Sequence, residues 1–519
     1  MRVSGICWIR PANLRVLCTF IGLFLLLANG RMDSGDANGQ LQGTFNLIRT
    51  GSLGMDTPSP QYLVQVLFVR SPSGRYFEDQ DIGNSLLMAP SVAIAVAASR
   101  MVPGLHVQAA AGTYTDTSLI LAKILCAFTD TIVSAIACYF LYLLFRLFLG
   151  RRTSIVLALL FAFGTFFAGY FRTAWDVVPA CDACCIMLYF LVRMLTEDEP
   201  PASVPLMAVF WLAIVGSFRY SLLPFLTLSM ILFLWRNRGR MRVSTRLWAA
   251  LVFVGTMIPT MMFNRVRMGS IFIPASVAPQ FDGQTGLSNH IVSSGIGLLF
   301  SPNRGLFVFS PLLLLIFALP WCWKMLPGPI RELLICFTPG ILLYYLLIAR
   351  IRNWGAAGWG PRYMLPILPI LFVAAGFVLT ALWNRSRTSR IWLVPLVAIS
   401  LGVAIPAILV DYTNATRNDW HAIDTTAAEP RQIMDTLESL SNGIQGKLQV
   451  SASGRPQDAP AVFPDLVATR VAVLLGKKSA ILETAFLALY VLLIGAVIFY
   501  LFWRCRDESV AAIGSAAAC

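Results

Sequence analysis

Apolar runs of roughly twenty residues recur from one end of this chain to the other, and they decide what it can fold into. A run of that length and hydropathy is at home in lipid, where only a helix satisfies its own backbone N–H and C=O groups. The predicted spans are 13–29, 118–145, 153–171, 177–193, 202–218, 220–235, 247–263, 305–322, 331–349, 363–383, 391–410 and 479–503. That is about twelve by the length rule. Composition agrees: 57% of the 519 residues are hydrophobic and 13% charged, where soluble domains carry nearer a quarter charged residues. The expected fold class is therefore an all-α polytopic membrane protein. The first run, Asn13 to Ala28, lacks a small-residue cleavage motif and is expected to stay as an anchor.

The formal charge of +14 comes from short basic clusters between the runs. This is the pattern of the positive-inside rule, not of a nucleic-acid surface, so no nucleic-acid partner is expected. Arg2, Arg10 and Arg15 precede the first span and predict a cytoplasmic N-terminus. The clusters around Arg146, Arg193, Arg236 to Arg246, Arg331, Arg385 and Arg504 fall on the same side if the segment 84–101 does not cross. That segment, with Pro90 inside it, is read as a helix lying on the outer leaflet or as a broken, re-entrant piece. Both termini are then cytoplasmic, in a plasma (inner) membrane. The outer face receives the loops 30–117, 264–304, 350–362 and 411–478, which hold His106, His290 and His421 and most of the acids. The 11 cysteines lie mostly in or beside apolar runs and form no disulfide framework. Three regions follow: a bundle over 1–410 that includes the first outer loop 30–117, an outer loop region over 411–478, and a last helix with a tail over 479–519.

Four stretches carry candidate chemistry. The first, 31–56, places Asp33 and Asp36 within one helical turn of the membrane surface, ahead of a surface helix closed by Gly51. A carboxylate there can act as a general base; as an N-cap, Asp36 would instead accept from the first turn of that helix. The second, 74–83, gathers Glu78, Asp79 and Asp81. Dense acids usually mark a solvated loop; oxygen ligands of this kind can also hold a divalent cation, but their spacing matches no recognised cation loop, so no metal site or cofactor is assigned. The third, 263–311, contains Asp282, His290 and Arg304. A guanidinium at the outer end of a span can hold phosphate at two points, or it can simply snorkel. The fourth, 350–369, holds Arg350, Arg352 and Arg362 with Trp354, Trp359 and Tyr363. Arginines on the outer side depart from the positive-inside pattern and suit a lipid phosphate, while the aromatic rings suit a membrane interface or a sugar face. Within the spans, Asp130 and Asp182 are costly unless paired or functional, and Arg172 with Asp176 has the spacing of a helical ion pair.

Three of these motifs resemble a known group. LLFSPNRGLFVFSP (298–311) with FNRVRMGS (263–270) upstream, WGPRYMLPILP (359–369) and, more loosely, SGDANGQLQGTFNLIRTGSLGMD (34–56) resemble bacterial membrane glycosyltransferases of the GT-C type. These belong with the protein O-mannosyltransferases and aminoarabinose transferases. The resemblance implies a GT-C-like bundle of about twelve transmembrane helices with outer-face juxtamembrane helices. It also implies a polyprenyl-phosphate-linked sugar donor, a catalytic acid in the first outer loop, and an acceptor that is a glycan, a lipid or a protein. Carried onto this chain, the catalytic acid is Asp36 in its SGD context, with Asp33 the second choice; the adjacent Asp-Glu pair of many members is absent. Arg304, Arg362 and Arg352 are then the donor-phosphate ligands, and Trp354, Trp359, Tyr363, His290 and Asp282 the sugar or acceptor contacts. The rival classes are a transporter or lipid flippase built on Asp130 and Asp182, and a scaffold that binds a partner through 411–478.

Overall fold

The computed structural model describes residues 11–32, 35–56, 68–101, 117–272, 290–351, 354–355, 358–410, 431–445, 463–476 and 479–503. Asp33, Asp282 and Arg352 lie outside the described residues, as do His106 and His421. The first four helices are α1 (Pro11–Leu26), α2 (Gly35–Thr50), α3 (Ile82–Met101) and α4 (Thr117–Arg146). Next come α5 (Arg151–Phe163), α6 (Val177–Thr196), α7 (Ser203–Phe218), α8 (Leu223–Arg236), α9 (Val243–Met268) and α10 (Ile291–Phe300). The last are α11 (Gly328–Arg350), α12 (Leu368–Arg385), α13 (Arg387–Ala404), α14 (Arg431–Ile444), α15 (Val467–Gly476) and α16 (Ala480–Trp503). A two-stranded antiparallel ribbon, β1 (Phe68–Arg70) and β2 (Tyr76–Glu78), is a small departure from the all-α expectation.

Among the described residues, eight helices are long and apolar enough to cross a bilayer, and shorter apolar helices pack beside them. The chain is a multi-pass, helical membrane protein. Two expected spans are not continuous helices. The run 153–171 gives 13 helical residues and stops at Gly164. The run 305–322 breaks into short α and 3-10 pieces around Pro311, because proline cannot donate to the helical ladder.

The contacts sort into two ends of the bundle. At one end, Arg236 pairs with Glu332 at 2.7 Å, and Arg240 donates to the carbonyls of Leu195 and Glu197. At the other end, Tyr344 Oη donates to the Tyr363 carbonyl, Val467 N to the Ala28 carbonyl, and Tyr220 N to Asp81. This second end holds the candidate site. α4 runs from it to the arginine-rich end. α3 packs along the half of α4 nearer the site: Ser91 Oγ lies 2.8 Å from Thr129 Oγ1, and Val92, Ala95 and Val96 share an apolar cluster with Ala122 and Cys126. α3 runs unbroken through Pro90, contrary to the broken or re-entrant expectation, and although it was not among the expected spans it is one of the eight helices long and apolar enough to cross a bilayer. Pro90 sits on the exposed side of the helix, so the hydrogen bond it cannot make is lost where packing is absent.

The late segments are tied into the bundle by a buried clasp. Asp465 pairs with Arg31 at 3.2 Å and Arg172 at 3.3 Å, and also with Arg470. Arg172 donates further to the carbonyls of Ala407 and Val410. Its expected partner was Asp176, four residues on. Residues 170–176 are turns, with α6 beginning only at Val177, so that spacing does not place the two on one helical face.

Candidate active site

α2 forms as expected from its sequence. Ala37, Gln40, Leu41 and Thr44 are buried along one face, and Gly51 terminates the helix at φ +76°, a conformation that favours glycine. Polar bonds seat it on α3: Asn84 donates to Gln40 Oε1 at 2.7 Å, and Thr44 donates to the Ser85 carbonyl. Gly43 lets α2 approach β2, since a side chain there would collide with the Glu78 carboxyl. Asp36 therefore stands in the first turn of α2, where the helix dipole favours a negative charge.

Asp36 Oδ2 lies 3.1 Å from Arg362 Nη1, across 326 residues of chain. Arg362 is buried. Its guanidinium lies 4.3 Å from the centroid of the Trp175 ring and 5.4 Å from that of Tyr363. The turn before it needs glycine twice, at Gly358 (φ +131°) and Gly360 (φ +64°). Gln432 of α14 braces this turn, donating to the Gly358 carbonyl and accepting from Gly360 N at 3.1 Å. Arg304 donates to the same Gly358 carbonyl. The two arginines predicted to hold phosphate thus meet on one short loop. Tyr170 feels the charge of both guanidiniums.

A second ion pair lies beside the first. Arg219 Nη1 is 2.8 Å from Asp176 Oδ2, and Arg219 shares the Tyr363 ring with Arg362, at 5.3 Å. Tyr363, expected at the site, is thus a ring that both guanidiniums share. Arg267 pins the acidic loop that follows β2, donating to the carbonyls of Glu78 and Gln80 and pairing with Asp81 at 3.6 Å. This places Asp79 close enough to feel Asp36 and Asp176. Burial first, then those two carboxylates, holds Asp79 well above the usual carboxylate range. Burial also raises Asp176 against the pull of Arg219 and Arg362. Glu78 is buried, accepts from Ser85 Oγ at one oxygen, and is pushed up to about 8 by burial. Around the Asp36–Arg362 pair the structure thus gathers two buried carboxylates of raised proton affinity, Asp79 and Asp176, and a second guanidinium, Arg219.

The other expected residues lie elsewhere. Trp354 is buried against Gly297 of α10, and Trp359 is buried between Gly169 and Phe309. Both rings are covered by packing and present no open face for a sugar. His290 is exposed, just ahead of α10. Sequence reasoning missed Trp175 and the brace from Gln432. It weighed Asp79 only as part of a loose acidic loop, and Asp176 only as a partner of Arg172.

Solved structures match this fold over most of the chain. ArnT from Cupriavidus metallidurans, in the apo state, is 10% identical with a TM-score of 0.47, covering 94% of this chain and 76% of its own. The oligosaccharyltransferase of Archaeoglobus fulgidus, tethered to an acceptor peptide, is 12% identical with a TM-score of 0.45, covering 87% of this chain and 61% of its own. The same archaeal AglB, in complex with an inhibitory peptide and a dolichol-phosphate, is 11% identical with a TM-score of 0.44 over 87% and 62%. This chain therefore spans less than two thirds of the archaeal protein's length. No family model and no curated protein matches the sequence.

Proposed function

We propose that the protein is a membrane glycosyltransferase that moves a sugar from a polyprenyl-phosphate-linked donor to an acceptor at the outer face of the plasma membrane. The observation that carries this reading is the Asp36–Arg362 pair, a carboxylate and a buried guanidinium in contact across 326 residues of chain. The motifs around 34–56, 298–311 and 359–369 support it, because they meet at that pair and at the Gly358 carbonyl beside it.

In this reading Asp36 and Arg362 hold each other in the resting enzyme. The donor phosphate takes over the guanidinium of Arg362, helped by Arg304, which bonds the Gly358 carbonyl of the same loop, and by Arg352. Asp36 is released to accept the proton of the acceptor hydroxyl or amine as it attacks the anomeric carbon. The bond from that carbon to the phosphate oxygen breaks, and the polyprenyl phosphate leaves with its charge stabilised by the arginines. The sugar configuration inverts. Asp79, close to Asp36 and of raised proton affinity, keeps the crevice from carrying three adjacent negative charges. The packing of α3 along the site half of α4 favours a position at the outer leaflet, with both termini cytoplasmic.

The test is transfer from a labelled polyprenyl-phosphate sugar in proteoliposomes, comparing wild type with Asp36→Asn. The expected result is transfer by the wild type and a loss of a hundredfold or more in the variant, roughly the contribution of a positioned base. Transfer at the wild-type rate by Asp36→Asn would remove the base assignment. A wild type that moves the lipid across vesicles without transferring sugar would favour a carrier.

A further inference from the structure

The end of the bundle opposite the candidate site carries a cavity of about 690 Å³ that glycosyl transfer does not use. Leu195 at the end of α6, Trp235, Arg238 and Arg240 from the end of α8 and its following turn, and Glu332 from α11 line it.

Its charges do not balance. Three lining guanidiniums, Arg236, Arg238 and Arg240, face the single lining carboxylate of Glu332. Arg236 takes that carboxylate at two points, 2.7 and 3.1 Å. Arg240 donates to the neutral carbonyls of Leu195 and Glu197, and the nearby Glu197 carboxylate is engaged by Arg193 at 2.8 Å. Arg238 is exposed, its guanidinium 5.7 Å from the centroid of the Trp235 ring. Arg238 and Arg240 are thus the lining guanidiniums that no lining carboxylate engages, with Asp198 and Glu199 following Glu197 outside the lining.

The surroundings say where an anion would come from. Leu228, Ile231 and Trp235 form an exposed apolar stripe on α8, and Ile335, Leu342 and Leu346 form another on α11. The two helices pack directly: the Phe233 and Phe337 rings lie 6.4 Å apart, and Gly340 sits against Ser229. Both stripes run up to the cavity, and Trp235 marks the level of the lipid headgroups, where exposed tryptophans concentrate. A soluble anion would have no use for these stripes, whereas acyl chains would lie along them. Basic pockets between helices at this level recognise lipid phosphates.

We propose that this cavity binds the phosphodiester headgroup of an anionic membrane lipid, with the acyl chains along the seam of α8 and α11. Arg238 and Arg240 hold the phosphate, Trp235 fixes the Arg238 guanidinium, and the Arg236–Glu332 pair forms the wall. The site is separate from the crevice around Asp36, and its proposal does not depend on the transfer reaction.

The experiment is retention of phosphatidylglycerol by the full-length protein in mixed micelles, read by native mass spectrometry. Arg238→Gln is expected to lower retention about fivefold, the usual worth of one interfacial arginine. Arg238→Lys should keep most of it, and Arg238→Glu should lose more than Arg238→Gln. Arg390→Gln is the control, because Arg390 is an exposed arginine that also lies by a tryptophan, Trp383, outside the cavity. Equal losses in Arg238→Gln and Arg390→Gln would mean a diffuse basic surface and overturn the site. Displacement of the lipid by excess inorganic phosphate would mean a site for soluble phosphate and overturn the lipid assignment. If Arg238→Gln fails to fold, Trp235→Phe and Trp235→Ala carry the test: the first should retain the lipid, and loss only in the second supports the site.

Discussion

Replacing Arg362 by lysine keeps the charge and removes the shape, so it asks what the guanidinium contributes beyond its sign. Arg362 spends one N–H on Asp36 at 3.1 Å, and its guanidinium lies over the Trp175 and Tyr363 rings, at 4.3 and 5.4 Å from their centroids. In the proposed reaction its remaining donors meet the leaving phosphate as charge develops there. A lysine can still approach, but as a point charge with no second parallel hydrogen bond. Loss of one charge-assisted hydrogen bond costs about 2 kcal/mol, and loss of the stacked contact about 1 kcal/mol more. The sum, about 3 kcal/mol, is roughly a hundredfold in kcat/KM. The assay is steady-state transfer from a labelled polyprenyl-phosphate sugar by purified protein in nanodiscs, with donor concentration varied. The expected fall lies in kcat as well as KM, since the second bond is strongest when the phosphate leaves. A kcat/KM within about threefold of wild type would refute the reasoning and remove Arg362 from the donor site.

Three further outcomes follow from the same structure. Asp465→Asn should cost about 3–5 kcal/mol, because it leaves Arg31, Arg172 and Arg470 around a neutral group in the interior; thermal unfolding in detergent reads this, and an unchanged Tm would contradict the clasp. Glu78, held at about 8 against its ordinary 4.5, binds one more proton in the native than in the unfolded chain between those values. Stability therefore falls as pH rises across that window and stops falling above it, by a few kcal/mol at most. Glu78→Gln should flatten the dependence of Tm on pH over that range, and an equally steep profile in the variant would sink the assignment. Cysteines placed at Ala110 and Arg240 should label from opposite sides of the membrane, and labelling from one side would mean that α3 crosses it.

The helical membrane class was legible because the apolar runs impose it whatever the tertiary packing. The end of α2 was also legible, since Gly51 acts through a local backbone rule, but its start was not: Asp36, read as a possible N-cap, lies inside the first turn and turns its carboxylate to Arg362. Pro90 misled because a proline's effect depends on which side of the helix it faces, and facing is a tertiary property. Arg172 misled in the same way: its spacing to Asp176 has meaning only on a helix, and the chain turns there instead. The contact between Asp36 and Arg362 could be anticipated only as two motifs sharing one compartment, because nothing local links residues 326 apart. Asp465 and Gln432 carried no signal at all. They lie in a region of mixed composition, and each acts by filling a position that distant segments create. Asp79 was visible as an acid, but its closeness to Asp36 and Asp176 depends on Arg267, a residue on another helix.

The measurement closest to the core of the account is the mass of the lipid that travels with the purified wild-type protein from native membranes. A polyprenyl phosphate, free or glycosylated, should be present and should be lost in Arg362→Gln while remaining in Arg238→Gln. A wild-type protein that carries no polyprenyl lipid under conditions that retain other phospholipids would contradict the account.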